Sequence, residues 1–164
     1  MSALQEAAAE FLSHRRLAVA GVSRDGAHAA NALFRRLRDE GYQVYALNPN
    51  ADEVEGGACY HALAEIPGGV EGVVIATPPA AAAGVVRECA DAGVPRVWLH
   101  RSFGAGSVSA EAVALCEQQG IAVLDGGCPM MFLDPVDVGH RCMRWLLGAV
   151  HKLPEASTYA ARPH

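Results

Sequence analysis

The side chains able to do chemistry in this sequence sit in short runs between apolar ones. The first is Gly21-Val22-Ser23-Arg24-Asp25-Gly26, which closes one apolar run and opens a helical one. A glycine turn from strand to helix gathers backbone N–H groups around a phosphate, and the helix start favours negative charge. Arg24 adds a charge-assisted contact to the same group. The pattern is G-x-S-x-x-G, with Ser23 where dinucleotide sites carry their second glycine. Taken alone, it also fits a chain that merely turns at Gly21 and Gly26.

The second run is Leu47-Asn48-Pro49-Asn50. An NAD site places Asp or Glu here for the ribose hydroxyls, and an NADP site offers a nearby Arg for the 2′-phosphate. Neither is present. Asn48 can hydrogen-bond an adenine edge or a ribose, and Pro49 can lie against the adenine face. That chemistry fits an adenine nucleotide with its extra phosphate elsewhere, as in coenzyme A. An ordinary Asn-Pro turn is the competing reading.

Further polar residues follow later apolar runs: Thr77 with Pro78 and Pro79, His100 with Arg101, and Asp125. Cys128, in Gly126-Gly127-Cys128-Pro129, is the most reactive-looking residue. If Pro129 opens a helical turn, Cys128 lies where a thiolate is favoured, and His100 or His140 would be the candidate base. The alternative is a small buried residue in a tight turn. Cys128, His100 and His140 do not have the spacing of a standard metal site, and no metal is expected.

These runs need a scaffold that brings them to one edge. Runs of Val, Ile and Leu at Leu17–Val22, Gln43–Leu47, Val73–Thr77, Arg96–Leu99 and Ile121–Leu124 read as five strands. Helical stretches at Ala29–Glu40, Ala80–Ala92, Ser109–Gln119 and Val136–Val150 separate or follow them. An amphipathic helix carrying Leu4, Ala7, Ala8, Phe11 and Leu12 precedes the first strand. The segment between the second and third strands is expected to hold at most one short helix, near Ala62–Ile66.

Strands this apolar are buried on both faces, and their alternation with helices implies a parallel sheet covered on both sides. The expected fold is a single doubly wound α/β domain of Rossmann type, with five strands in the order 3-2-1-4-5. The domain is expected over residues 1–153, with a flexible tail over 154–164. Ligands of such sheets collect at the carboxyl ends of the strands, beside the switch point, placed here between strands one and four.

Composition supports this class. The chain has 164 residues, 51% hydrophobic and 19% charged, which suits a folded globular domain. Its net charge of -5 gives no general attraction to nucleic acid or anionic membranes. No apolar run reaches the roughly 20 residues of a membrane span. The N-terminus lacks the layout of a secretory signal. Five scattered cysteines, without C-x-x-C spacing, read as reduced thiols in a cytoplasm. A homodimer is a plausible assembly for a small domain of this type.

The runs "VAGVSR", "GYQVYALNP", "YHALAEIPGGVEGVVIATPP", "VPRVWLH" and "GIAVLDGGCPMMF" together resemble the stand-alone CoA-binding proteins. These are small Rossmann domains similar to the N-terminal CoA-binding domain of the succinyl-CoA synthetase alpha subunit. The resemblance covers about Leu17 to Phe132. It implies that Gly21, Val22, Ser23 and Arg24 surround the pyrophosphate of coenzyme A. Asn48 and Pro49 would flank the adenosine, and Thr77, Pro78 and Pro79 would line the opposite wall. His100 stands where the family has glutamine after its tryptophan, and a glycine-rich turn over Arg101–Ser109 replaces a shorter one. The implied role is a non-catalytic or regulatory module binding CoA or an acyl-CoA. An NAD(P)-binding oxidoreductase or nucleotide sensor is the first alternative. A thiol or acyl-transfer enzyme using Cys128 is the second. The phosphohistidine of the synthetase belongs to a further domain, so ligase activity of this chain alone is not expected.

Overall fold

The computed structural model describes residues 2–101 and 106–150. The expected tail over 154–164 and residues 102–105 of the glycine-rich turn lie outside the described residues. In chain order the elements are α1 (Ala3–Ser13), β1 (Arg16–Ala20), α2 (Ala29–Asp39), β2 (Gln43–Leu47), β3 (Glu53–Val54) and β4 (Gly57–Tyr60). A 3-10 turn at Leu63–Glu65 leads to β5 (Gly72–Ile75), α3 (Pro79–Asp91), β6 (Arg96–Leu99), α4 (Ala110–Gln118) and β7 (Ala122–Asp125). A second 3-10 turn at Pro129–Met131 precedes α5 (Val138–Ala149).

One Rossmann-like sheet runs β3-β4-β2-β1-β5-β6-β7 and is parallel except for the β3–β4 pair. The expectation of five strands in the order 3-2-1-4-5 is corrected on two counts. The strand expected third, Val73–Thr77, appears as β5 and pairs with β1 rather than lying beyond β2. The place beyond β2 is taken by β4, with β3 returning antiparallel outside it. The chain therefore reverses direction across the sheet between β1 and β5, so the switch point lies there.

Residue alternation along the strands divides the core in two. Leu17 and Val19 of β1 face α1 and α2, whereas Ala18 and Ala20 face α3 and α4. α1 starts with a capping box between Ser2 and Gln5 and buries Ala7, Ala8, Phe11 and Leu12, the apolar stripe read from the sequence. Phe11 meets the buried Trp98 of β6 edge-on, with ring centroids 5.4 Å apart. Glu10 pairs with Arg96 at 3.2 Å, and the Tyr42 hydroxyl donates to the Leu12 carbonyl. These contacts clamp α1 across the sheet and leave the opposite, carboxyl ends of the strands to build a site.

Among the described residues, no helix is long and apolar enough to cross a membrane.

Candidate functional site

The cleft at the carboxyl ends of β1, β2 and β5 begins with Gly21. Its φ is +102°, and a methyl group there would lie 2.5 Å from the Ala76 carbonyl oxygen. Only glycine lets the chain leave β1 this close to the end of β5. The Gly21 N–H donates to the Leu47 carbonyl and ties the turn to β2.

Asn31, fully buried on α2, holds the loop that follows. Its Oδ1 accepts from the Ser23 N–H at 2.9 Å and its Nδ2 donates to the Ser23 carbonyl at 2.7 Å. Nδ2 also donates to the Glu55 carboxylate at 2.6 Å, and Arg35 joins that carboxylate to the Gly26 carbonyl. The Ser23 hydroxyl accepts from the Asp25 N–H. The loop is thus fixed before any ligand arrives, which removes an ordering cost from binding. Val22 is fully buried, so its side chain belongs to the core and only its backbone can face a ligand. Arg24 is exposed.

Asn48 closes the second side. Its Nδ2 donates to the Val22 carbonyl and its Oδ1 accepts from the Asn50 N–H, both at 2.9 Å. The amide therefore binds two loops to each other, a role the sequence reading did not assign it. Its second N–H hydrogen remains uncommitted in those two bonds. The cleft of about 390 Å³ is lined by Gly21, Asn48, Pro49, Thr77 and Pro78, five of the ten expected binding residues. That is within the usual range of roughly 300–1,000 Å³ for small-molecule sites. A groove of about 470 Å³ between α1 and α5 is larger, but none of the expected binding residues lines it.

Sequence reasoning missed the wall supplied by α3. Ala81, Gly84, Val85 and Glu88 line the cleft at i, i+3, i+4 and i+7, beside a core stripe of Ala82, Val86 and Cys89. The two stripes are adjacent on one apolar helix, so periodicity alone cannot tell them apart. Gly84 was the available signal. It sits inside a helix, where it weakens the element, and a Cβ there would meet nothing within 4 Å.

Two helices start without a side-chain cap: α2 after His28, and α3 after Pro78 at the cleft itself. Ser2, Ser109 and Asp137 cap α1, α4 and α5. Uncapped starts keep amide donors for an anion. Pro79 is the first residue of α3, half-buried.

His100 and Cys128 do not line this cleft. His100 directly follows β6, buried, with its N–H donated to the Ile75 carbonyl. Burial and then the nearby His140 push its pKa down to about 4, so the ring is neutral near pH 7. Cys128 precedes the 3-10 turn at Pro129, as expected, but packs against Met131 and Leu147 at 3% exposure. Burial pushes its thiol up to about 11, although the Met130 N–H opposes this. The turn's N-terminus does not outweigh desolvation, and the thiol stays protonated. This is the small-buried-residue alternative. Among the described residues, no group of three or more His, Cys, Asp or Glu is placed to hold a metal ion.

The chain has relatives of two kinds. The alpha subunit of the ADP-forming acetate–CoA ligase II of Pyrococcus furiosus is 33% identical over 88 residues, 53% of this chain and 19% of that subunit. The chain thus spans about a fifth of the ligase subunit it matches. The Bacillus subtilis protein YneT, uncharacterised, is 26% identical over 114 residues, 70% of this chain and 82% of its own length. Among solved structures, a hypothetical protein from Pyrococcus horikoshii superposes with a TM-score of 0.73 at 26% identity, covering 80% of this chain and 91% of its own. The family model described as the CoA binding domain matches residues 15–134, from just before β1 to the turn beyond β7. That span contains every residue of the cleft, and the chain belongs to the CoA-binding domain family.

Proposed function

We propose that this cleft binds coenzyme A or an acyl-CoA and that the chain acts as a binding module rather than a catalyst. The carrying observation is the joining of Gly21, Asn48, Thr77 and Pro78 around one cleft with no carboxylate at the end of β2. In this reading, the pyrophosphate is received by the backbone N–H groups of Val22 and Arg24, since those of Gly21 and Ser23 are donated within the protein, and by the uncapped start of α2. Arg24 contributes a positive charge. Asn48 and Pro49 flank the adenosine, and Thr77, Pro78 and Pro79 form the opposite wall. Family membership supports the ligand. The protonated Cys128 thiol argues against covalent chemistry there.

Calorimetric titration of the reduced protein with CoA, acetyl-CoA, NAD and NADP tests the reading. The expected result is micromolar CoA affinity, about -8 kcal/mol, with NAD and NADP silent. Arg24→Ala is expected to weaken CoA about tenfold, the loss of one exposed charge-assisted contact. Binding of NAD or NADP with CoA silent would overturn the proposal, as would silence from all four.

A further inference from the structure

Among the described residues, the large hydrophobic side chains left most exposed are Val138, Trp145, Leu146 and Val150, at 73%, 75%, 46% and 51%. All four belong to α5 or its C-cap. Cys142 and Ala149, also exposed, lie between them. At about 100° per residue these six occupy an arc of roughly 140° that contains no charged residue. The opposite face of α5 is used internally: Leu147 packs on Cys128 and Met131, and Arg144 donates to the Met131 carbonyl. α5 is therefore a helix apolar on both faces, of which only one is covered.

We propose that the uncovered face of α5 packs antiparallel on α5 of a second copy, forming a two-fold dimer. The seam Val138, Cys142, Trp145, Ala149 has the 4-3-4 spacing of helix–helix contacts and reads the same in both directions. Running two such helices antiparallel sets Val138 opposite Ala149 and Cys142 opposite Trp145. A larger side chain then meets a smaller one at every level, as interdigitated packing requires. A two-fold contact demands this self-complementarity, whereas an unrelated partner does not. A specific interface needs about 1,000 Å² in total, so Leu146 and Val150 beside the seam must be buried with it.

Sedimentation velocity of the reduced full chain, wild type and Trp145→Glu, tests the interface. The wild type is expected at twice the chain mass. Trp145→Glu is expected to weaken association about 100-fold, the scale of a central aromatic anchor, with unchanged far-UV circular dichroism. Maleimide alkylation gives an independent reading. Cys142 is the exposed thiol of the single chain and the other four cysteines are buried, so the wild-type dimer should protect Cys142 and Trp145→Glu should leave it reactive. Trp98 is buried, which leaves Trp145 to report by acrylamide quenching. A wild-type monomer with shielded Trp145 would mean that residues 151–164 cover the face, and a monomer with quenchable Trp145 that it is open. Either overturns the proposal, as does a dimer indifferent to Trp145→Glu.

Discussion

A methyl group on Gly21 has nowhere to go, because the Ala76 carbonyl occupies its place and φ is positive. Gly21→Ala is expected to lower stability by about 3 kcal/mol, combining backbone strain with overpacking. A urea unfolding curve would show it. Asn31→Ala leaves the Ser23 N–H and the Glu55 carboxylate short of a partner, at a cost of about 2–4 kcal/mol. Its CoA affinity should fall as well, since the loop it fixes is the one proposed to hold the pyrophosphate. His100 gives a pH signature. Its folded pKa lies below the ordinary histidine value, so the unfolded chain binds its proton first as pH drops. Stability is therefore complete above about pH 6.5 and is lost as pH falls toward about 4. His100→Gln, scanned by denaturant midpoint against pH, should lose that decline; an unchanged slope would assign it to other groups.

At the scale of elements, α3 carries the most direct test of the cleft. Gly84→Ala adds a methyl group in open space and should raise stability by about 0.8 kcal/mol through helix propensity. Gly84→Phe places a ring in the cleft and should abolish CoA binding while the protein stays folded. If Gly84→Phe binds CoA normally, the ligand lies elsewhere. The strands and helices legible in the sequence were those with enough length for a period. Gln43–Leu47 is found with its expected bounds, and Ser109 caps α4 as its position indicated. The β3–β4 hairpin was illegible for physical reasons. Its strands have two and four residues, and little of it beyond Val54 and Cys59 is buried. Its two-residue turn is Glu55-Gly56, both with positive φ, where Asn-Gly or Asp-Gly would signal a hairpin. Glu55 holds that left-handed conformation because Asn31, Arg35 and Arg38 all bond to it. Nothing local in the sequence announces such a long-range tether. The same gap explains the misplaced strand order: without β4, the strand at Val73–Thr77 was assigned to the place β4 fills.

For the molecule as a whole, ligand and second copy occupy different regions. The cleft draws on β1, β2, β5 and α3, and the proposed dimer contact on α5. CoA affinity should therefore be the same for wild type and Trp145→Glu, measured by the same calorimetry. Coupling between the two would mean that α5 moves when the cleft fills. The gathering of strand-end residues was legible at this scale because parallel topology dictates it. That Cys128 and His100 do not line the cleft was not, since both are buried by how tightly the end of the sheet closes.

The β3 edge has one more consequence. An unfinished β-sheet is a template, and any extended chain can lengthen it through its free backbone groups. Here the outermost strand offers only Glu53 and Val54 before the chain bends into left-handed geometry at Glu55. An incoming strand would find two residues of ladder and then a corner. On that flank the protein resists fibre-like growth.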